Sequence, residues 1–122
     1  MKRAAEFTSL AEVRAEIDRI DRLLVPLIAA RGQAVLAAAR FKPFAEVPAP
    51  ARVEEVIGNV RRLAAEHGAD PRVVEATWRA MIAAFIEAEK EEHIRLHGPP
   101  PAEGCSSAGS APGACRRPPA TE

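Results

Sequence analysis

Apolar residues recur every three or four positions along most of this chain, the period of an α-helix rather than a strand. From Leu10 they fall at Val13, Ile17, Ile20, Leu24, Leu27 and Ile28, and the pattern continues through Val35 and Ala38 to about Phe41. Ser9, with Glu12 three residues on, matches the S-x-x-E capping box that starts a helix. Pro43, Pro48 and Pro50 end the run. Pro26 removes a backbone donor in mid-helix and predicts a kink, at a cost of ~3 kcal/mol if uncompensated. A second stripe after Pro50 uses Val53, Val56, Ile57, Val60 and Leu63, and the HGAD segment from His67 to Asp70 stops it. A third helix opens with Asp70 as N-cap and Pro71 at its first position. Val73, Val74, Trp78, Met81, Ile82, Phe85 and Ile86 line it, and it ends near Gly98. The pattern predicts an all-α chain of three helices over residues 8–97, the first of them long.

That length has a consequence. Thirty-odd residues at ~1.5 Å rise reach roughly 45 to 50 Å, whereas a compact domain of ~100 residues has a radius of gyration near 13 Å. A helix of that length overhangs a core built by the other two, and its stripe faces water unless a second copy covers it. The expectation is an intertwined homodimer. A break at Pro26, folding the helix back into a monomeric bundle, is the alternative.

Composition narrows the function. The 122 residues carry a formal net charge of zero, with 48% hydrophobic and 28% charged residues, as in an ordinary globular domain. Balanced charge argues against nucleic acid as a partner, and 4% aromatics without a tyrosine leave few platforms for stacking bases. No stretch approaches the ~20 apolar residues that span a bilayer. The start, MKRAAEFTSL, has basic residues but no apolar run behind them, unlike a secretory signal. A cytoplasmic location without membrane contact is the expectation. From Gly98 the chain turns to Pro, Gly, Ala and Ser, which bury too little to offset their ordering entropy, so residues 98–122 read as a disordered tail. Cys105 and Cys115 both lie in it.

Polar residues that interrupt the apolar faces are the candidates for chemistry. Arg31 and Lys42 are eleven residues apart, three turns on nearly one face if the helix continues, with backbones ~16 Å apart. Two long cations leaning together can grip a small dianion, and the planar guanidinium of Arg31 suits a carboxylate. Arg14 lies seventeen residues before Arg31, ~25 Å away on a straight helix and on another face. It joins such a site only from a partner subunit. The plain alternative is a solvated face, with Asp18 pairing Arg14 one turn on.

The run VRAEIDRIDRLLVPLIAAR, then AARFK, then PAPARVEEVI and an amphipathic third helix resemble the all-helical chorismate mutase family over residues 8–97. AARFK with the PAPxRV string is most similar to the branch that includes isochorismate-pyruvate lyases. The resemblance implies three-helix chains interlocked as dimers with two shared sites, acting on chorismate or isochorismate. It implies that Arg14 binds one substrate carboxylate from across the dimer and Arg31 the other from within the chain. It assigns Lys42 to a carboxylate and the ether oxygen, and Arg52 to closing the site. Glu89 falls where most members carry Gln, the second donor to the ether oxygen, and Val53 stands where many dedicated mutases carry Glu. An ionised carboxylate repels an oxygen that is gaining negative charge, so Glu89 serves only as the protonated acid, which donates.

The reaction so implied is pericyclic and calls for no nucleophile, metal or cofactor. Chorismate to prephenate, in aromatic amino-acid synthesis, is the first expectation. Isochorismate to salicylate and pyruvate is the alternative, and a non-catalytic metabolite-binding or dimerisation module is a third. His93 and His97, four apart, have a metal-binding spacing, but no third ligand stands out.

Overall fold

The computed structural model describes residues 2–100. The predicted tail from residue 101 onward, with both cysteines, lies outside the described residues. Three long helices make up the chain: α1 (Leu10–Ala38), α2 (Pro50–His67) and α3 (Pro71–His97). Two short 3-10 turns accompany them, Ala4–Glu6 before α1 and Phe44–Glu46 between α1 and α2. No strand occurs among the described residues.

Each helix start has a local cause. The Ser9 hydroxyl accepts the Glu12 N–H at 3.1 Å, capping α1. The Glu12 carboxylate turns instead to the Thr8 hydroxyl, at 2.7 Å, and to Lys2, so the return half of the expected box is spent elsewhere. Asp70 caps α3 through the Arg72 N–H at 2.9 Å, with Pro71 at the first position. At the end of α2, Gly68 takes φ 74°, and the Ala69 N–H closes on the Ala64 carbonyl at 2.8 Å. A left-handed residue there lets the chain reverse into α3.

α1 runs unbroken through Pro26 for 29 residues, roughly 43 Å. The alternative of a helix folded back at Pro26 is thereby set aside. The helix stops at Ala38 and not near Phe41. Its end tightens into i→i−3 bonds, Ala39 N–H to Leu36, Arg40 to Ala37 and Phe41 to Ala38. Pro43 keeps the helix from continuing, because its ring clashes with the carbonyl four residues earlier, that of Ala39, and disfavours the helical conformation at Lys42. Phe41 is left 79% exposed.

α3 is the central element and packs against both α1 and α2. The core is small: Ala39, Val47, Ile57, Val60, Ala64 and Ile82. On α2 the buried line passes through Ala64, and Leu63, expected inside, is exposed. On α1 only Gly32 is fully buried.

Candidate functional site

A pocket of about 350 Å³ opens where the last turns of α1, the α1–α2 loop, the first turns of α2 and the middle of α3 meet. Its polar lining is Arg31, Lys42, Arg52 and Glu89. The structure thus brings together four of the five candidate residues. Arg14 is exposed on the other half of α1 and does not line the pocket. Among the described residues Arg14 makes no salt bridge, with Asp18 or any other carboxylate.

Each group is placed by its element. Arg31 sits on α1 with its guanidinium over the Phe85 ring, 5.8 Å from the centroid, a cation–π contact. Phe85 approaches because residue 32 is glycine: a Cβ there would meet the ring at 2.9 Å. Lys42 is not on the helix, as its spacing from Arg31 had suggested. It enters from the turn after α1, because the helix has already ended. Its Nζ lies 2.9 Å from Glu89 Oε1 and 3.5 Å from the Val47 carbonyl oxygen.

Glu89 is only 3% exposed, on the face of α3 turned to the pocket. A buried charge is costly unless paired, and Lys42 is its partner. Glu89 Oε1 is buried and makes no well-aligned hydrogen bond despite that proximity.

Arg52 marks the rim. Ala49, at the N-cap of α2, has φ 37° and ψ 64°, a left-handed conformation that strains any residue with a Cβ. That bend, between Pro48 and Pro50, brings Pro48, Ala49 and Arg52 to the pocket wall. Arg52 pairs with Glu55 at 2.7 Å, and both are well exposed. Such a pair is worth little, so Arg52 is free to exchange it for a ligand.

The rest of the lining is apolar: Ala34, Val35 and Ala38 from α1, Val47 from the loop, Val53 and Val56 from α2, and Ile82, Phe85 and Ile86 from α3. Sequence periodicity marks most of these as core, because a pocket wall and a core face share one pattern. His93, passed over as a weak metal candidate, touches the Lys42 backbone instead.

A small all-α chain with a cationic pocket between its helices is the class that fold and site define. A family model described as chorismate mutase type II matches residues 13–90, and the chain belongs to that family. It is also 39% identical over 87 residues to the isochorismate pyruvate lyase of Pseudomonas aeruginosa, an alignment covering 70% of this chain and 86% of that protein. No described helix is long and apolar enough to cross a membrane.

Proposed function

We propose that this chain acts as a homodimer on an enolpyruvyl ether with two carboxylates, and that isochorismate, split into salicylate and pyruvate, is its substrate. The observation that carries the reading is the charge of the pocket. Arg31, Lys42 and Arg52 line it with Glu89 as the single carboxylate. The cations outnumber the carboxylate by two even when Glu89 is ionised, which suits a dianion. The volume is in the range of small-metabolite sites.

Arg31 holds one carboxylate, with Arg52 closing from the rim. Arg14 of a second copy supplies the grip on the other carboxylate. The bare stripe of α1 supports that second copy: Val25 is 62% and Leu27 67% exposed, with Ile17, Leu23, Leu24 and Ile28 also open. Contiguous apolar surface of this kind marks an interaction site. Held at both carboxylates, the substrate is kept in its compact reactive shape, which removes much of the entropic barrier.

Lys42, with Glu89 beside it, then faces the ether oxygen and stabilises the charge that grows there as the C–O bond breaks. Isochorismate contains every atom of salicylate plus pyruvate, so the split needs no co-substrate. Val53 and Val56 give the α2 wall no hydrogen-bond acceptor for a ring hydroxyl. The likeness to the Pseudomonas lyase supports cleavage of isochorismate.

A second reading, chorismate rearranged to prephenate, is favoured by the family itself, whose description is that of a mutase. Both reactions draw on the same cations. The test is to incubate the purified protein with isochorismate and, separately, with chorismate, and to measure salicylate, pyruvate and prephenate. Salicylate with equimolar pyruvate is expected. Prephenate alone would establish the mutase reading. No product from either substrate at pH 5 and at pH 7.5 would refute both and leave a metabolite-binding role.

A further inference from the structure

Two histidines near the end of α3 close on the segment that carries Lys42. His93 Nε2 lies 3.0 Å from the Lys42 carbonyl oxygen, and His97 Nε2 lies 3.1 Å from that of Ala39. A carbonyl only accepts, so each Nε2 carries the hydrogen and donates it. Carbonyls at the end of a helix lack intrahelical partners, and here α3 supplies them.

The two rings differ in setting. His97 is exposed. His93 is buried, set edge-on to Phe44 with centroids 5.6 Å apart. Its Nδ1 is buried without a partner among the described residues. An unpaired buried nitrogen destabilises, so packing alone would favour an apolar ring. What an apolar ring lacks is the donor to Lys42.

Glu89 precedes His93 by four residues, one turn of the same helix face. One turn of α3 therefore holds Lys42 at both ends, the ammonium by Glu89 at 2.9 Å and the backbone carbonyl by His93 at 3.0 Å. The backbone bond matters because Lys42 lies beyond the last turn of α1, where no helical bond fixes it. Its side chain adds four rotatable bonds of freedom.

We infer that His93 is a positioning residue for Lys42: its donated hydrogen bond fixes the backbone from which the ammonium reaches into the pocket. The inference rests on the role of Lys42 proposed above. A displacement of about 1 Å in such a group costs as much as 100-fold in rate.

The test compares His93→Gln with His93→Asn in the full-length chain. Both carry an amide, but only the longer glutamine side chain reaches the position of the imidazole Nε2. With isochorismate, His93→Asn is expected to lower kcat by about tenfold or more with KM changed less than about threefold, and His93→Gln to restore kcat to within about threefold.

A second readout needs no turnover. The chain has three lysines, Lys2, Lys42 and Lys90. Reductive ¹³C-methylation gives each an NMR signal, and that of Lys42 is the one missing from Lys42→Arg. It should move toward the signals of the other two in His93→Asn and return in His93→Gln. Equal loss of kcat in both variants, or a Lys42 signal unmoved by His93→Asn, would overturn the inference. A wild type that converts neither substrate would count against the proposed function, and the Lys42 signal would still decide the role of His93.

Discussion

The two halves of α1 have the same apolar rhythm and opposite fates. From Gly32 to Ala38 the helix packs on α3 and walls the pocket, with Gly32 buried and Val35 to Ala38 half-buried. Residues 21–30 are all exposed, although Leu23, Leu24, Val25, Leu27 and Ile28 are as apolar as anything in the core. The difference lies in what is opposite, because α3 covers one half and none of the described residues covers the other. Periodicity tells which face a helix wants to bury. It does not tell whether the covering surface belongs to the same molecule.

The proposed site is divided along the same line, with Arg31 beside the packed half and Arg14 on the bare half. Lys42→Ala tests the packed half. It removes the ammonium proposed to face the ether oxygen and leaves Glu89 buried without its partner. Activity should drop by about 1,000-fold, the scale of losing one preorganised charge donor, as measured by kcat/KM on isochorismate. A loss under tenfold would show that Lys42 does not stabilise the transition state.

Replacing Leu24 and Leu27 together by lysine tests the bare half. These residues do not line the pocket, so a monomeric enzyme would tolerate the change. The shared-site account expects dissociation in analytical ultracentrifugation and a fall in activity of about 100-fold, since each monomer then lacks Arg14 from its partner. Unchanged mass and activity would place the partner surface elsewhere.

Glu89 gives a smaller effect. Glu89→Ala takes away the carboxyl group 2.9 Å from the Lys42 ammonium and should lower kcat/KM on isochorismate by about tenfold. Activity equal to wild type would remove Glu89 from the mechanism.

The smallest effect concerns the seam between α2 and α3. Arg79 holds Glu54 through two contacts of 3.0 and 3.1 Å and Glu75 at 2.9 Å, while Arg61 adds a second contact to Glu75. These guanidinium bonds lower the carboxyl pKa of both Glu54 and Glu75. A lowered carboxylate contributes stability above its ordinary value, here 4.5, and loses it as pH falls through the folded value. Arg79→Met should therefore make stability less sensitive to acid below about pH 5, by a small amount because the groups are exposed. Urea midpoints at pH 7 and pH 3.5 would show it, and an unchanged difference between the two would contradict it.

Much of the fold was legible because helix starts are local. Ser9, Asp70 and Pro71 act through bonds to their own first turn, and Gly68 through its own conformation. What was not legible depended on packing from elsewhere. Ala64 is buried and Leu63 exposed, because the crossing of α2 over α3 selects the face and residue size does not. The family motif pointed to Arg31, Lys42, Arg52 and Glu89, and the structure gathers them in one pocket. The spacing argument for Arg31 and Lys42 assumed a continuous helix, which Pro43 denies. The part played by His93 was hidden because its partner is a backbone carbonyl 51 residues away in sequence, and carbonyls leave no mark in a sequence pattern.

The most direct test of a site built from two chains is to mix two inactive variants, Arg14→Ala and Lys42→Ala, unfold them together and refold them. Each hybrid dimer would contain one intact site, from Lys42 of the first variant and Arg14 of the second. Random pairing makes half the dimers hybrids, so activity on isochorismate should return to about a quarter of wild type. A refolded mixture no more active than the two variants refolded separately would contradict the shared site.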